Sequence, residues 1–330
     1  MEEVMSGEIV KKASLRLLHR PPMKDLLLKD GIFRRSSLAD DLEEAGDGST
    51  PLSDALVLNI LVKFFYAYIY PDSVQNELSL EDVTLLFDQF AHRRLGSEVL
   101  DEKVELRKTL LAYGFALCML GDLPRTAHIF RAIAGGLTEQ GDVFRGLDIG
   151  SGTGILMLAM FVRAGRNGFK NISLAGIERN RAVCERTNEV LAGLAAGRVI
   201  VTDAKRPEAY GILGGHKLHF VANETLPSMN KSLWKEDFVY ICKTMFETIP
   251  GQLSETVFFP EGVVVGRSPK EEMHILSREN KFSYAGEYPL RLMRPYALII
   301  DGVPVVLDAV GIEQRQYIPD SWLSVLGRRW

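Results

Sequence analysis

The stretch Leu147-Asp148-Ile149-Gly150-Ser151-Gly152-Thr153-Gly154 joins two apolar runs. Residues 143–149 lead into it and residues 155–162 lead away from it. An apolar run, an acid, three alternate glycines and a longer apolar run read as strand, tight turn and helix. Glycine admits positive φ and lets the backbone approach a ligand with no Cβ between them. The first N–H groups of the following helix have no intrahelical partner and suit a carboxylate or phosphate.

Glycine spacing separates two kinds of ligand. A dinucleotide fingerprint is G-x-G-x-x-G and seats a pyrophosphate. Here the third glycine, Gly154, falls one position early, and Asp148 stands two residues before the first. This D-x-G-x-G-x-G form resembles motif I of the class I S-adenosylmethionine-dependent methyltransferases. The resemblance implies an α/β, Rossmann-like seven-stranded sheet. It also implies that Asp148, Gly150, Ser151, Gly152 and Gly154 hold the cofactor.

Further matches follow in order. Residues 171–178 read as a short strand ending in Glu178, which the resemblance places on the ribose diol. Such an acid also fits a dinucleotide. A helical pattern over residues 181–194 ends before Gly197, a residue suited to a C-cap. Residues 198–204 read as a third strand ending in Asp203-Ala204. The resemblance gives Asp203 the adenine amine and Ala204 a backbone contact to the ring. A fourth strand, residues 218–222, ends in Asn223-Glu224. Strand ends at this place face the reacting groups in open α/β sheets. Asn223 is expected to contact the cofactor, and Glu224 is the candidate catalytic residue.

Glu224 also resembles the first glutamate of the protein arginine methyltransferase loop, and Phe259-Pro260-Glu261-Gly262 resembles the segment after that family's fifth strand. The match stops there. The place of the second glutamate is Leu233, no Thr-His-Trp loop is present, and the tail after Pro260 is short for that family's extra barrel. Asn-Pro-Pro-Tyr, the signature of base-amine methylation, is also missing at Asn223. Neither arginine nor flipped-base methylation is therefore expected.

With 330 residues the chain can hold a large and a smaller unit, and 46% hydrophobic with 25% charged residues is ordinary for a globular protein. A net charge of −4 gives no strong nucleic-acid signal. Three scattered cysteines and six histidines without helical ligand spacing predict no metal site and no disulfide framework. No run is long enough for a membrane span and no signal-peptide pattern opens the chain, so a cytoplasmic protein is expected.

Residues 1–52 read as a charged arm and linker, basic up to Arg35 and acidic from Asp40 to Asp47. Residues 53–140 read as an all-α unit of four helices: 54 to about 70, 80 to about 94, 97–120, and a last one after Pro124 reaching Ala134. Residues 141–330 form the expected cofactor domain. Within it a helix covers 233–249, and a fifth strand bends near Pro260. Residues 297–300 and 303–310 flank Asp301-Gly302 as a hairpin, expected to supply the sixth and seventh strands.

The expected activity is S-adenosylmethionine-dependent transfer of methyl to a nitrogen or oxygen of a small molecule, with the helical unit over the reaction mouth. Four alternatives stay open: a protein acceptor, a homodimer, an aminocarboxypropyl transferase using the same cofactor, and a non-catalytic cofactor-binding module. The early third glycine and Asp203 disfavour an NAD-dependent oxidoreductase.

Overall fold

The computed structural model describes residues 32–93, 116–117, 120–121, 123–136, 138, 141–225, 234–266, 271–277, 281–288, 296–300 and 303–305. Among the described residues, the α-helices with defined bounds ahead of β1 are α1 (Leu38–Gly46), α2 (Asp54–Ile69), α3 (Leu80–Arg93) and α4 (Leu123–Ala134). Local chemistry sets their starts. Ser37 and Asp40 form a capping box on α1. Ser53 accepts from the Leu56 N–H and caps α2. Helix α2 is buried along most of its length, including Val57, Ile60, Leu61, Phe64, Phe65 and Tyr68, so it is a core helix rather than a surface one. Of the expected helix over 97–120, residues 116, 117 and 120 are described and helical, and the rest, with most of the basic arm, lies outside the described residues.

The acidic run from Asp40 to Asp47 is mostly helix α1. Its Asp41 is fully buried and meets the fully buried Lys63 of α2, with Nζ to Oδ2 at 2.6 Å. Ser36 and Arg34 donate to the other Asp41 oxygen at 2.7 and 3.0 Å. The Lys63 ammonium also lies 5.5 Å from the centre of the Phe33 ring, and burial lowers its pKa. Asn59 of α2 pins the incoming backbone through Ile32 O and the Arg34 N–H.

From residue 143 the order is β1 (Val143–Ile149), α5 (Ile155–Arg166), β2 (Asn171–Glu178), α6 (Arg181–Leu194), β3 (Arg198–Val201), β4 (Phe220–Asn223), α7 (Trp234–Thr248) and β5 (Val257–Phe259). The strands form one parallel sheet in the order β3-β2-β1-β4-β5. The order reverses at β1, so a crevice opens beyond the ends of β1 and β4, where open α/β sheets bind ligands. Register places Ile149 beside Ile177 on β2 and beside Asn223 on β4. The glycine turn, Glu178 and Glu224 therefore emerge together at the same edge.

The expected seven-stranded sheet is not what the described residues form. The parallel sheet has five strands. The stretch read as one bent fifth strand is two strands in two sheets: β5, and after a cis Phe259–Pro260 bond, β6 (Gly262–Gly266). The second sheet is antiparallel, in the order β10-β9-β6-β7-β8, with β7 (Glu271–Ser277), β8 (Lys281–Tyr288), β9 (Tyr296–Ile300) and β10 (Val303–Val305). The expected hairpin is present, with Ile300 opposite Val303, but it pairs with β6 rather than closing the parallel sheet. Pairing partners are a tertiary choice, and each strand's own pattern fits either sheet.

One hydrophobic core runs through both the helices and the parallel sheet, from Leu42, Val57 and Phe65 through Ile133 and Phe144 to Met157, Leu191 and Phe220. Polar ties cross the same boundary. Arg166 of α5 donates to the carbonyls of Ala45, Asp47 and Thr50. Arg163, buried at 3% exposure, donates to Ile133 O and Thr138 Oγ1. Among the described residues no helix is long and apolar enough to cross a membrane.

Candidate functional site

The glycine turn is built by its neighbours. Gly150 and Ser151 both donate their N–H to Ile177 O on β2, and the Gly154 N–H donates to Ser151 O. Thr187 of α6 donates to Gly152 O at 2.6 Å, and Tyr68 of α2 lies 3.3 Å from that hydroxyl. The turn is thus held from the sheet, from α6 and, through Thr187, from α2.

Two of its glycines serve different needs. Gly152 has φ +50°, and an added Cβ would find no atom closer than 3.8 Å, so its open side faces the cavity. Gly154 has φ +81° at the start of α5, and a Cβ there would come within 2.8 Å of Thr187 Cγ2. Gly154 thus admits the packing of α6, and it does not line the cavity.

The cavity at the crevice has a volume of about 370 Å³, within the range of small-molecule sites. Gly150, Ser151, Gly152, Glu178, Asp203, Ala204 and Glu224 all line it. The Glu178 carboxylate accepts from the Gly152 N–H at 3.1 Å and the Asn180 N–H at 2.8 Å, one on each oxygen. Each oxygen keeps capacity for a further donor. Asp203 accepts from the Lys205 N–H at 3.0 Å, in a tight turn beyond β3.

Two expected cofactor residues sit behind the wall. Asn223 is buried, accepts from the Thr225 N–H and hydroxyl, and approaches Cys242 Sγ through Nδ2. It shapes the Glu224 turn and does not line the cavity. Asp148 is fully buried beneath the glycine turn, and neither carboxylate oxygen has a hydrogen-bond partner among the described residues. Burial, then the nearby Glu178 charge, push its pKa up to about 8.

The helical segment closes the opposite wall. Ala116, Leu120, Arg125, Thr126 and Ile129 line the same cavity. Arg125, in the first turn of α4, forms an ion pair with Glu224, and both are largely buried. Nothing in the local sequence marks this pair. The residues stand 99 positions apart, and Arg125 reads as an ordinary helix-start residue after Pro124. Among the described residues no group of three or more His, Cys, Asp or Glu is placed to hold a metal ion.

No family model and no curated protein matches the chain. Solved structures do. One is a Trypanosoma brucei PRMT1 enzyme–prozyme heterotetrameric complex with S-adenosylhomocysteine, with 19% identity and a TM-score of 0.34. The match covers 47% of this chain and 44% of that one. Another is a Plasmodium falciparum putative protein-L-isoaspartate O-methyltransferase in complex with S-adenosylhomocysteine, with 11% identity and a TM-score of 0.31. It covers 64% of this chain and 97% of that one. The core is a Rossmann-like α/β fold. Its own strand order, with the glycine turn between β1 and α5 and acids at the ends of β2 and β4, carries that assignment.

Proposed function

We propose that this chain is an S-adenosylmethionine-dependent methyltransferase acting on a nitrogen or oxygen of a small-molecule acceptor. The observation that carries the reading is one cavity lined by the open side of Gly152, by Glu178 and Asp203, and by the Arg125–Glu224 pair. These groups suit the parts of the cofactor: Glu178 the ribose hydroxyls, Asp203 and Ala204 the adenine edge, and the glycine turn the methionine end. Arg125 is a buried guanidinium on the cavity wall and suits the methionine carboxylate.

The bound sulfonium would supply an activated methyl for in-line displacement. The chain's share is positioning and exclusion of water. Glu224, at the strand end, orients the acceptor and can take its proton. Ala116, Leu120 and Ile129 supply an apolar wall from before the first strand, and the helical segment thereby shapes the acceptor end. A cavity of about 370 Å³ is of small-molecule size.

Calorimetry with S-adenosylhomocysteine and NAD tests the cofactor: only the former binds, and the reverse result overturns the reading. Two variants sharpen it. Glu178→Ala weakens S-adenosylhomocysteine binding by about 1–3 kcal/mol, because ribose hydroxyls lose a partner, and unchanged affinity removes Glu178 from the ribose. Gly152→Val abolishes that binding, since its side chain enters the cavity and disfavours positive φ. Retained binding in the folded variant means that the turn does not face the ligand. Once an acceptor is found, product mass separates methyl from aminocarboxypropyl transfer.

A further inference from the structure

The Arg125–Glu224 pair bridges the helical wall and the end of β4 inside the cavity. If the proposed cofactor binds, two carboxylates compete for one guanidinium: Glu224 and the methionine end of the ligand. A buried carboxylate that loses its cation becomes a strong site for another cation or donor, because an unpaired buried charge is costly. We propose that Arg125 is an exchange latch. Cofactor binding draws Arg125 onto the methionine carboxylate and releases Glu224 to receive the acceptor. The acceptor site is then completed only in the cofactor complex, and the two ligands bind with positive coupling.

The other two acids at the cavity, Glu178 and Asp203, do not perform the same exchange. Glu178 is tied to the Gly152 and Asn180 N–H groups, and Asp203 to the Lys205 N–H. Glu224 is the cavity acid that forms the ion pair with Arg125 among the described residues. The acid at the acceptor end is therefore the one whose availability depends on where the arginine points. The trigger is a carboxylate, so a ligand with the same nucleoside and sulfur but no amino-acid end fails to release Glu224.

This inference rests on the proposed cofactor, and the test separates the two. The probe is ethylguanidine, a small cation that fits a freed carboxylate. Its affinity is measured by NMR titration with saturating S-adenosylhomocysteine and, separately, with saturating 5′-methylthioadenosine, which lacks the carboxylate. The expected result is binding at least about five-fold tighter in the S-adenosylhomocysteine complex, the lower end of typical coupling energies. Equal affinities within two-fold, or no binding in either complex, overturn the latch and indicate an arginine that holds both carboxylates at once. Failure of S-adenosylhomocysteine itself to bind overturns the cofactor reading instead. Arg125→Met binds ethylguanidine equally with either nucleoside, and Arg125→Lys restores the difference in part. A difference that persists in Arg125→Met also overturns the latch.

Discussion

Asp148→Asn makes the chain more stable, and the gain grows with pH. The Asp148 carboxyl keeps its proton to about pH 8 in the folded chain, whereas an unfolded aspartate ionises near pH 4. Between these values the folded state binds the extra proton. Stability from this group is fully present below about pH 4 and is lost as pH rises through about 8. One proton corresponds to about 1.4 kcal/mol per pH unit, so the gap between variant and parent widens by up to about 4 kcal/mol from pH 5 to pH 8. Urea unfolding at four pH values, without ligand, reads this directly. A gap independent of pH shows that Asp148 is ionised and hydrated in the folded chain.

The second large effect concerns the buried pair between α1 and α2. Asp41→Ala lowers stability by about 3–5 kcal/mol, because the Lys63 ammonium is left in the core without its carboxylate. Ser36 and the Phe33 ring remain beside it, but neither carries a compensating charge. The double variant Asp41→Leu with Lys63→Met regains most of the loss, since apolar replacement of a buried ion pair is often neutral. Denaturant midpoints of the three proteins decide the matter. A single variant within about 1 kcal/mol of the parent means that water reaches Lys63.

The parts legible in the sequence are those whose signal is local. Three alternate glycines between apolar runs marked the β1–α5 turn, and an acid closing a short apolar run marked the end of β2. The α6 pattern matches the bounds Arg181–Leu194, because periodicity acts within one helix, but the left-handed C-cap is Ala195 rather than Gly197. The local signal of β7 and β8 is confined to short runs such as Lys281-Phe282-Ser283-Tyr284, which alternates polar and aromatic residues as a strand does. The partition of β5 and β6 between two sheets has no local signal, since either pairing satisfies the same side chains. The same holds at the site. Glu178 and Asp203 were visible as strand-end acids, but the partner of Glu224 was not. It comes from a helix before the first strand, and only tertiary packing brings the two together.

The shared core has a practical meaning for anyone who would divide this gene. A fragment starting at Val143 would keep every residue of the glycine motif and read as a self-contained nucleotide module. It would also expose the apolar faces of α5 and α6 that Leu42, Val57, Phe65 and Ile133 now help to cover. It would lose Tyr68, which steadies Thr187 behind the glycine turn, and Arg125 with the wall around it. Grafting the motif half onto another scaffold would transplant the alphabet of the site without its grammar. Chimaeras cut near residue 32 keep the described cavity wall whole, and those cut near residue 141 do not.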